Sequence, residues 1–90
     1  MTFKELNFKP HPLTPMFDQQ ALVEFPNGYG ISVINGEHAY CDANTYEVAI
    51  MKDGAYYYKT PLTDDVLSYQ TPEDIDKILK TVESYEKNQY

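Results

Sequence analysis

Apolar and polar residues alternate along residues 21–34, which is the pattern of two antiparallel strands with one buried face. The two runs are separated by Pro26-Asn27-Gly28. A three-residue turn closed by a glycine with positive φ pairs Val23 with Ile31. The expected core face of this first hairpin is Ala21, Val23, Phe25, Tyr29, Ile31 and Val33.

A second hairpin is predicted over residues 45–60, where two β-prone runs flank a turn that ends in Asp53-Gly54. We expect a three-residue loop here too, because that register places Glu47 opposite Lys59 as a cross-strand ion pair. A two-residue Asp53-Gly54 loop shifts the register and loses this pair. In the expected register Tyr57 lies on the polar face of the sheet, and the core face is Tyr46, Val48, Ile50, Tyr56 and Tyr58.

The last part of the chain predicts an amphipathic helix. Thr71 suits the N-cap and Pro72 the first helical position, and the helix is expected to reach Lys87. Its apolar residues recur at helical spacing and form one stripe: Ile75, Ile78, Leu79, Val82 and Tyr85. We therefore predict an α+β fold, an antiparallel sheet of two or more hairpins that is covered on one face by this C-terminal helix.

The N-terminal segment differs in composition from the rest. Residues 1–20 contain three prolines, which fix φ and remove a ladder donor. The sequence therefore predicts a proline-rich N-terminal arm at 1–20 and a single α+β domain at 21–90.

Two connecting segments have weaker patterns. Residues 35–44 form a polar loop in which a short edge strand is expected at 38–41. After the second hairpin, Thr63 and the two acids that follow it favour the start of a short helix, and a strand over residues 66–69 is the alternative.

The charge balance restricts the partners. The 90 residues include 14 acids and seven lysines but no arginine, so the formal net charge is -7. We expect no direct nucleic-acid binding, since affinity for phosphate comes mainly from Lys and Arg. Neither a signal-peptide pattern nor an apolar run of the roughly 20 residues that a membrane helix needs is found, so a cytoplasmic protein without membrane contact is expected.

Few residues of the chain are of the types that catalysis or metal binding requires. His38 and Cys41 have a metal-like spacing, with His11 as a distant third, but structural zinc takes four ligands in paired spacings. On an extended strand His38 and Cys41 lie on opposite sides, which is unsuitable for a base and its nucleophile. The sequence therefore predicts no metal site and no enzymatic activity.

Candidate partner-binding residues are of two kinds. Tyr57, beside Ala49 and Met51 on the polar face, is of the residue type that protein interfaces favour. The others lie in the 35–44 loop or are surface acids; they are Glu37, Tyr40, Asp42, Asp64, Asp65, Glu73 and Asp74. The pairs Asp64-Asp65 and Glu73-Asp74 lie at predicted helix starts, so capping of these helices is a sufficient explanation for them. In the functional reading, such carboxylates imitate DNA phosphates and occupy the basic groove of an enzyme.

Three stretches carry a resemblance to a known group of proteins: FPNGYGISVI at 25–34, YEVAI at 46–50 and TPLTDDV at 60–66. In this order the chain resembles small, functionally unannotated proteins of tailed phages and prophages of Gram-positive bacteria. The resemblance implies a phage origin, action in the host cytoplasm and no cofactor. It carries no catalytic residue.

These observations together predict a non-enzymatic phage or prophage accessory protein that binds a host protein. Inhibition of a host or defence enzyme through an acidic, DNA-mimic-like surface is the more specific form of this prediction. The alternative is a structural or assembly protein that self-associates, for example as a homodimer, through a sheet edge or the N-terminal arm.

Overall fold

The computed structural model describes residues 1–90 and contains six β-strands and one α-helix. In chain order they are β1 (Lys9–Pro10), β2 (Asp18–Glu24), β3 (Tyr29–Gly36), β4 (Tyr46–Lys52), β5 (Ala55–Tyr56), β6 (Leu67–Gln70) and α1 (Pro72–Glu83). All strands are antiparallel in one sheet of order β1-β2-β3-β4-β5, and β6 also pairs with β4. The helix packs on one face, so the predicted α+β architecture is confirmed.

The first hairpin forms in the predicted register, with Val23 opposite Ile31. Gly28 has φ of 88°, and its N–H donates to the carbonyl of Phe25 at 3.0 Å. The face toward α1, here called the inner face, joins the helix stripe in one hydrophobic core. Its buried members are Ala21, Phe25, Tyr29, Ile31, Val33, Val48, Ile50, Ile75, Ile78, Leu79, Val82 and Tyr85.

Helix α1 begins as predicted and ends earlier. The hydroxyl of Thr71 accepts the N–H of Asp74, and the Asp74 carboxylate accepts the N–H of Thr71, which makes a reciprocal capping box. The helix ends at Glu83 rather than Lys87. Asn27, in the turn of the first hairpin, donates through its side-chain amide to the carbonyls of Val82 and Glu83 at the helix end and of Tyr85 just beyond it, and so satisfies groups that a longer helix would pair internally.

The second hairpin adopts the two-residue loop, so the predicted three-residue register is wrong. Met51 lies opposite Tyr56, and both residues of Asp53-Gly54 have positive φ, at 52° and 84°. A type I′ turn requires this conformation and matches the twist of the strands. The ion pair between Glu47 and Lys59 that favoured the other register contributes at most about 1 kcal/mol at an exposed site.

The corrected register places Tyr57 on the inner side rather than on the outer face. Its ring centroid lies 6.2 Å from that of Tyr29, and Lys52 Nζ lies 4.8 Å from the centroid of the Tyr57 ring. Tyr57 therefore packs against the core. The two tyrosines that were expected in the core, Tyr56 and Tyr58, are exposed instead.

The N-terminal segment folds onto the domain. Strand β1 pairs with β2, and β2 itself begins at Asp18, three residues inside the predicted arm. Phe3, Leu6 and Phe8 pack against the core, and the N–H of Phe3 donates to Asp76 of α1 at 2.6 Å. The arm thus closes one side of the domain.

The two connecting segments, residues 35–44 and the stretch after the second hairpin, do not adopt the structure that was predicted first for each. Residues 38–41 contain turns and bends and no edge strand, because β3 ends at Gly36. Thr63 starts no helix, and the alternative strand is present as β6. The single helix α1, 12 residues long, is too short and too polar to span a membrane.

Candidate partner-binding site

Three large apolar side chains project from the segment between β1 and β2. Leu13, Met16 and Phe17 are 85%, 88% and 55% exposed, although Phe3, Leu6 and Phe8 earlier in the same segment pack against the core. An exposed apolar side chain alone is ordinary, but three within five residues form a local apolar protrusion.

The protrusion is held by a buried carboxylate. Asp18 is 3% exposed and accepts hydrogen bonds from the hydroxyl of Thr14, from the N–H of His38 at 3.0 Å and from Nδ1 of His38 at 2.8 Å. The carbonyl of Thr14 accepts from the N–H groups of Phe17 and Asp18, which closes the turn. A buried carboxylate with this many donors fixes the segment in one conformation.

The same bonds set the protonation of Asp18. The hydroxyl of Thr14 and the main-chain and ring donors of His38 hold the pKa of the Asp18 carboxyl below its ordinary value. The carboxylate is therefore charged at neutral pH, and His38 joins the loop after β3 to the protrusion. The Phe17 ring meets the His38 ring edge-on at 5.6 Å between centroids.

A glycine makes this arrangement sterically feasible. Gly36 lies opposite Asp18 in the β2–β3 ladder and has φ of 147°. A Cβ atom at this position would overlap Asp18 Oδ1 and approach the carbonyl of Phe17. Only a residue without a side chain allows Asp18 to close against β3 here.

The loop 37–44 lies beside the protrusion and adds acidic and aromatic groups. Phe17, Glu37 and Asp42 line one shallow hollow between the two segments. Tyr40 is 64% exposed, and its carbonyl accepts the N–H of Tyr69, which ties the loop to β6. We name the exposed side chains of these two segments the apical site: Leu13, Met16, Phe17, Glu37, His38, Tyr40 and Asp42.

Two carboxyl groups, Glu47 of β4 and Asp42 of the apical site, have pKa values shifted in opposite directions. Burial raises the pKa of Glu47, the charges of Asp65 and Asp18 raise it further, and the main-chain N–H of Tyr40 opposes the rise. Asp42 accepts from the N–H of Asn44 and the hydroxyl of Thr45, which lowers its pKa. The lowered pKa keeps Asp42 charged at neutral pH, and this carboxylate makes its border of the site negative.

The structure distributes the predicted contact residues over several places. Glu37, Tyr40 and Asp42 lie in the apical site, and Asp65 is close enough to Glu47 to affect its titration. Asp64 is exposed in the same loop as Asp65, and Glu73 is exposed in the first turn of α1. Two others have structural roles: Tyr57 packs on the inner side, and Asp74 closes the capping box.

Sequence reasoning missed the apolar half of the site. Leu13, Met16 and Phe17 lie in the segment that was predicted only as an arm. The available signal was the run 13–17, in which three large apolar residues alternate with Thr14 and Pro15 and are followed at once by the acid Asp18.

The sparse metal-like residues do not converge. His38 Nδ1 contacts Asp18, and Cys41 Sγ lies 3.8 Å from the carbonyl oxygen of Gly36. No group of three or more His, Cys, Asp or Glu side chains is arranged to hold a metal ion. Comparisons of the chain with protein-family models, with curated proteins and with solved structures found no match.

Proposed function

We propose that this chain is a non-enzymatic binding protein that acts on a host-cell protein in the cytoplasm through the apical site. The observation that carries the proposal is the exposure of Leu13, Met16 and Phe17 on a turn that the buried Asp18 holds in place. Apolar side chains presented in one fixed conformation lose little entropy on binding.

The site also indicates the chemistry of the partner. An apolar centre bordered by Glu37 and Asp42 matches a recess that is apolar within and bordered by Lys or Arg, because complementary charge steers association and the buried apolar area supplies affinity. The net charge of -7 acts in the same direction. Phage origin and inhibition of a host enzyme are further parts of the proposal.

The acidic DNA-mimic surface is the specific form that needs a separate test. Asp74 is committed to the capping box, so Asp64, Asp65 and Glu73 remain as free carboxylates among the four that were predicted. A mimic depends on these charges, whereas binding through the apical site depends on Leu13 and Met16.

The experiment compares tagged variants in capture from a Gram-positive host lysate, followed by titration of the purified captured protein. The Leu13→Ser, Met16→Ser double variant removes two side chains that are more than four-fifths exposed, so stability should not change. We expect its affinity for the captured partner to fall by about tenfold or more, from the lost apolar burial. Tyr58→Ser is the matched control at another exposed site.

Each outcome distinguishes the candidates. Equal affinity of the double variant and the wild type would overturn the apical site as the contact surface. Loss of binding in the Asp64→Lys, Asp65→Lys variant only, together with release by salt, would support the DNA-mimic form. Recovery of the protein alone as a defined oligomer would favour the assembly role and refute the host partner.

A further inference from the structure

The edge of β2 beyond β1 is an unpaired strand edge. Strand β1 pairs only with Gln19 and Gln20, so Leu22, Val23 and Glu24 form ladder pairs with β3 only. Leu22, in the middle of this free part, is 62% exposed. An edge of this kind is a template for another extended chain.

The alternation of hydrogen bonds along β2 shows which of its main-chain N–H and C=O groups point away from β3. Phe25 donates to Tyr29, so odd-numbered residues of β2 direct their main-chain groups to β3. His11 donates to the carbonyl of Asp18, so even-numbered residues direct theirs to the opposite side. Leu22 and Glu24 therefore present two N–H and two C=O groups away from β3, where the chain places no strand.

Side chains beside this edge offer selectivity. Leu22 and Glu24 share the outer face of the sheet, which is the face away from α1. Leu22 lines two shallow hollows there, one shared with Gly30 and Met51 and the other with Asn7 and Lys9 of the N-terminal segment. An added strand would place alternate side chains over this face.

We infer that the β2 edge binds an extended segment of a partner protein in antiparallel orientation, with a basic residue opposite Glu24 and an apolar residue opposite Leu22. Opposite charges in a directly facing pair are favourable, and an apolar residue beside Leu22 reaches the hollows. Read along the partner segment, the motif is basic, any residue, apolar. This surface is separate from the apical site.

A second copy of the chain fits the edge less well than such a segment. Pairing β2 with itself about a twofold axis through Val23 sets Leu22 opposite the Glu24 of the other copy and brings the two Glu24 carboxylates into diagonal proximity. Each copy already carries a net charge of -7. A partner with a basic residue removes this repulsion.

The test is fluorescence anisotropy of the full chain with an acetylated, C-terminally amidated, fluorescein-labelled peptide Thr-Lys-Thr-Val, which ends opposite Leu22 because Phe8 directly adjoins Lys9, the residue that pairs with Gln20. In the inferred register the amides of its Lys and Val face β2, and the amide of the central Thr between them faces away. N-methylation of Lys and Val should weaken binding by about tenfold or more, and N-methylation of the central Thr should leave it unchanged.

Charge reversal gives a second readout. Glu24→Lys should weaken binding of the Lys peptide and strengthen binding of a Glu peptide, each by about two- to fivefold. Glu86→Lys, which changes the net charge equally at an exposed position beyond α1, is the matched control. The Leu13→Ser, Met16→Ser variant should bind the peptide normally, so a failure of the apical site can be distinguished from a failure of the edge.

Any one of three results would overturn the inference. The first is an equal loss of affinity whichever amide is methylated. The second is the lack of saturable binding up to about 1 mM peptide, the weak limit for short peptides. The third is a concentration-dependent dimer in sedimentation that Leu22→Pro abolishes, since proline removes the main-chain N–H that faces away from β3 and a second copy would then occupy the edge.

Discussion

Asn27 connects the first hairpin to the end of the helix, and its removal should destabilise the whole domain. Its amide nitrogen donates to the carbonyls of Val82, Glu83 and Tyr85 at 3.0, 3.3 and 2.8 Å. Its side-chain oxygen accepts the N–H of Tyr29 at 2.9 Å. Asn27→Ala removes all four contacts at once.

The expected loss follows from the number of bonds. The amide has two hydrogens, so the three carbonyls share about two full bonds, and the oxygen adds one more. At about 1 kcal/mol net each, Asn27→Ala should lower the free energy of unfolding by about 2–3 kcal/mol. For a domain of this size the corresponding fall in Tm is about 10–20 °C.

Urea unfolding followed by circular dichroism measures this difference. Asn7→Ala, an exposed asparagine on the N-terminal arm, is the control and should change stability by less than about 0.5 kcal/mol. Asn27→Asp keeps the acceptor for Tyr29 but places a carboxylate against the negative end of the helix, so at pH 7 it should lose at least as much as Ala. The reasoning is refuted if Asn27→Ala unfolds at the wild-type urea concentration.

Two further predictions concern the apical site and its surroundings. Gly36→Ala should lower the free energy of unfolding by about 2–4 kcal/mol, because the new Cβ meets Asp18 and a φ of 147° is unfavourable for a residue with a side chain. Urea unfolding measures this loss, and amide hydrogen exchange around Phe17 should become faster. Unchanged exchange there would contradict the prediction. Glu47→Gln should stabilise the protein at pH 7, since burial and the charges of Asp65 and Asp18 raise the Glu47 pKa. The wild-type protein loses stability as pH rises from the Glu47 pKa of the unfolded state toward the higher pKa of the folded state. The stability advantage of Gln should therefore vanish below about pH 4, and an equal advantage at pH 4 and pH 7 would oppose the explanation.

The sequence predicted the architecture because periodicity determines which faces are buried. The alternation through Ala21 and Ile31 and the helical stripe at Ile75 and Leu79 each required one buried face, and those faces meet in the core. The predicted register of the second hairpin was wrong because the turn conformation of Asp53-Gly54 outweighs an exposed ion pair with Lys59.

The apical site was missed for a different physical reason. Phe8 and Phe17 belong to the same proline-rich segment, and spacing does not reveal that one packs against Tyr46 while the other is exposed. The difference arises from Asp18, a charged residue that sequence patterns assign to solvent but that is buried by its contacts with His38. The burial of the Asp18 carboxylate therefore determines which apolar side chains of the segment are exposed.

The contact of the N-terminal arm with the helix also has a kinetic consequence. Phe3 and Asp76 are 73 residues apart in the chain, whereas β2, β3 and β4 pair with their sequence neighbours. Local strand pairing forms early in folding, and contacts of large sequence separation form late. We expect this contact to govern how long the native state persists rather than how fast it forms. Asp76→Ala should therefore raise the unfolding rate in stopped-flow experiments and change the refolding rate little.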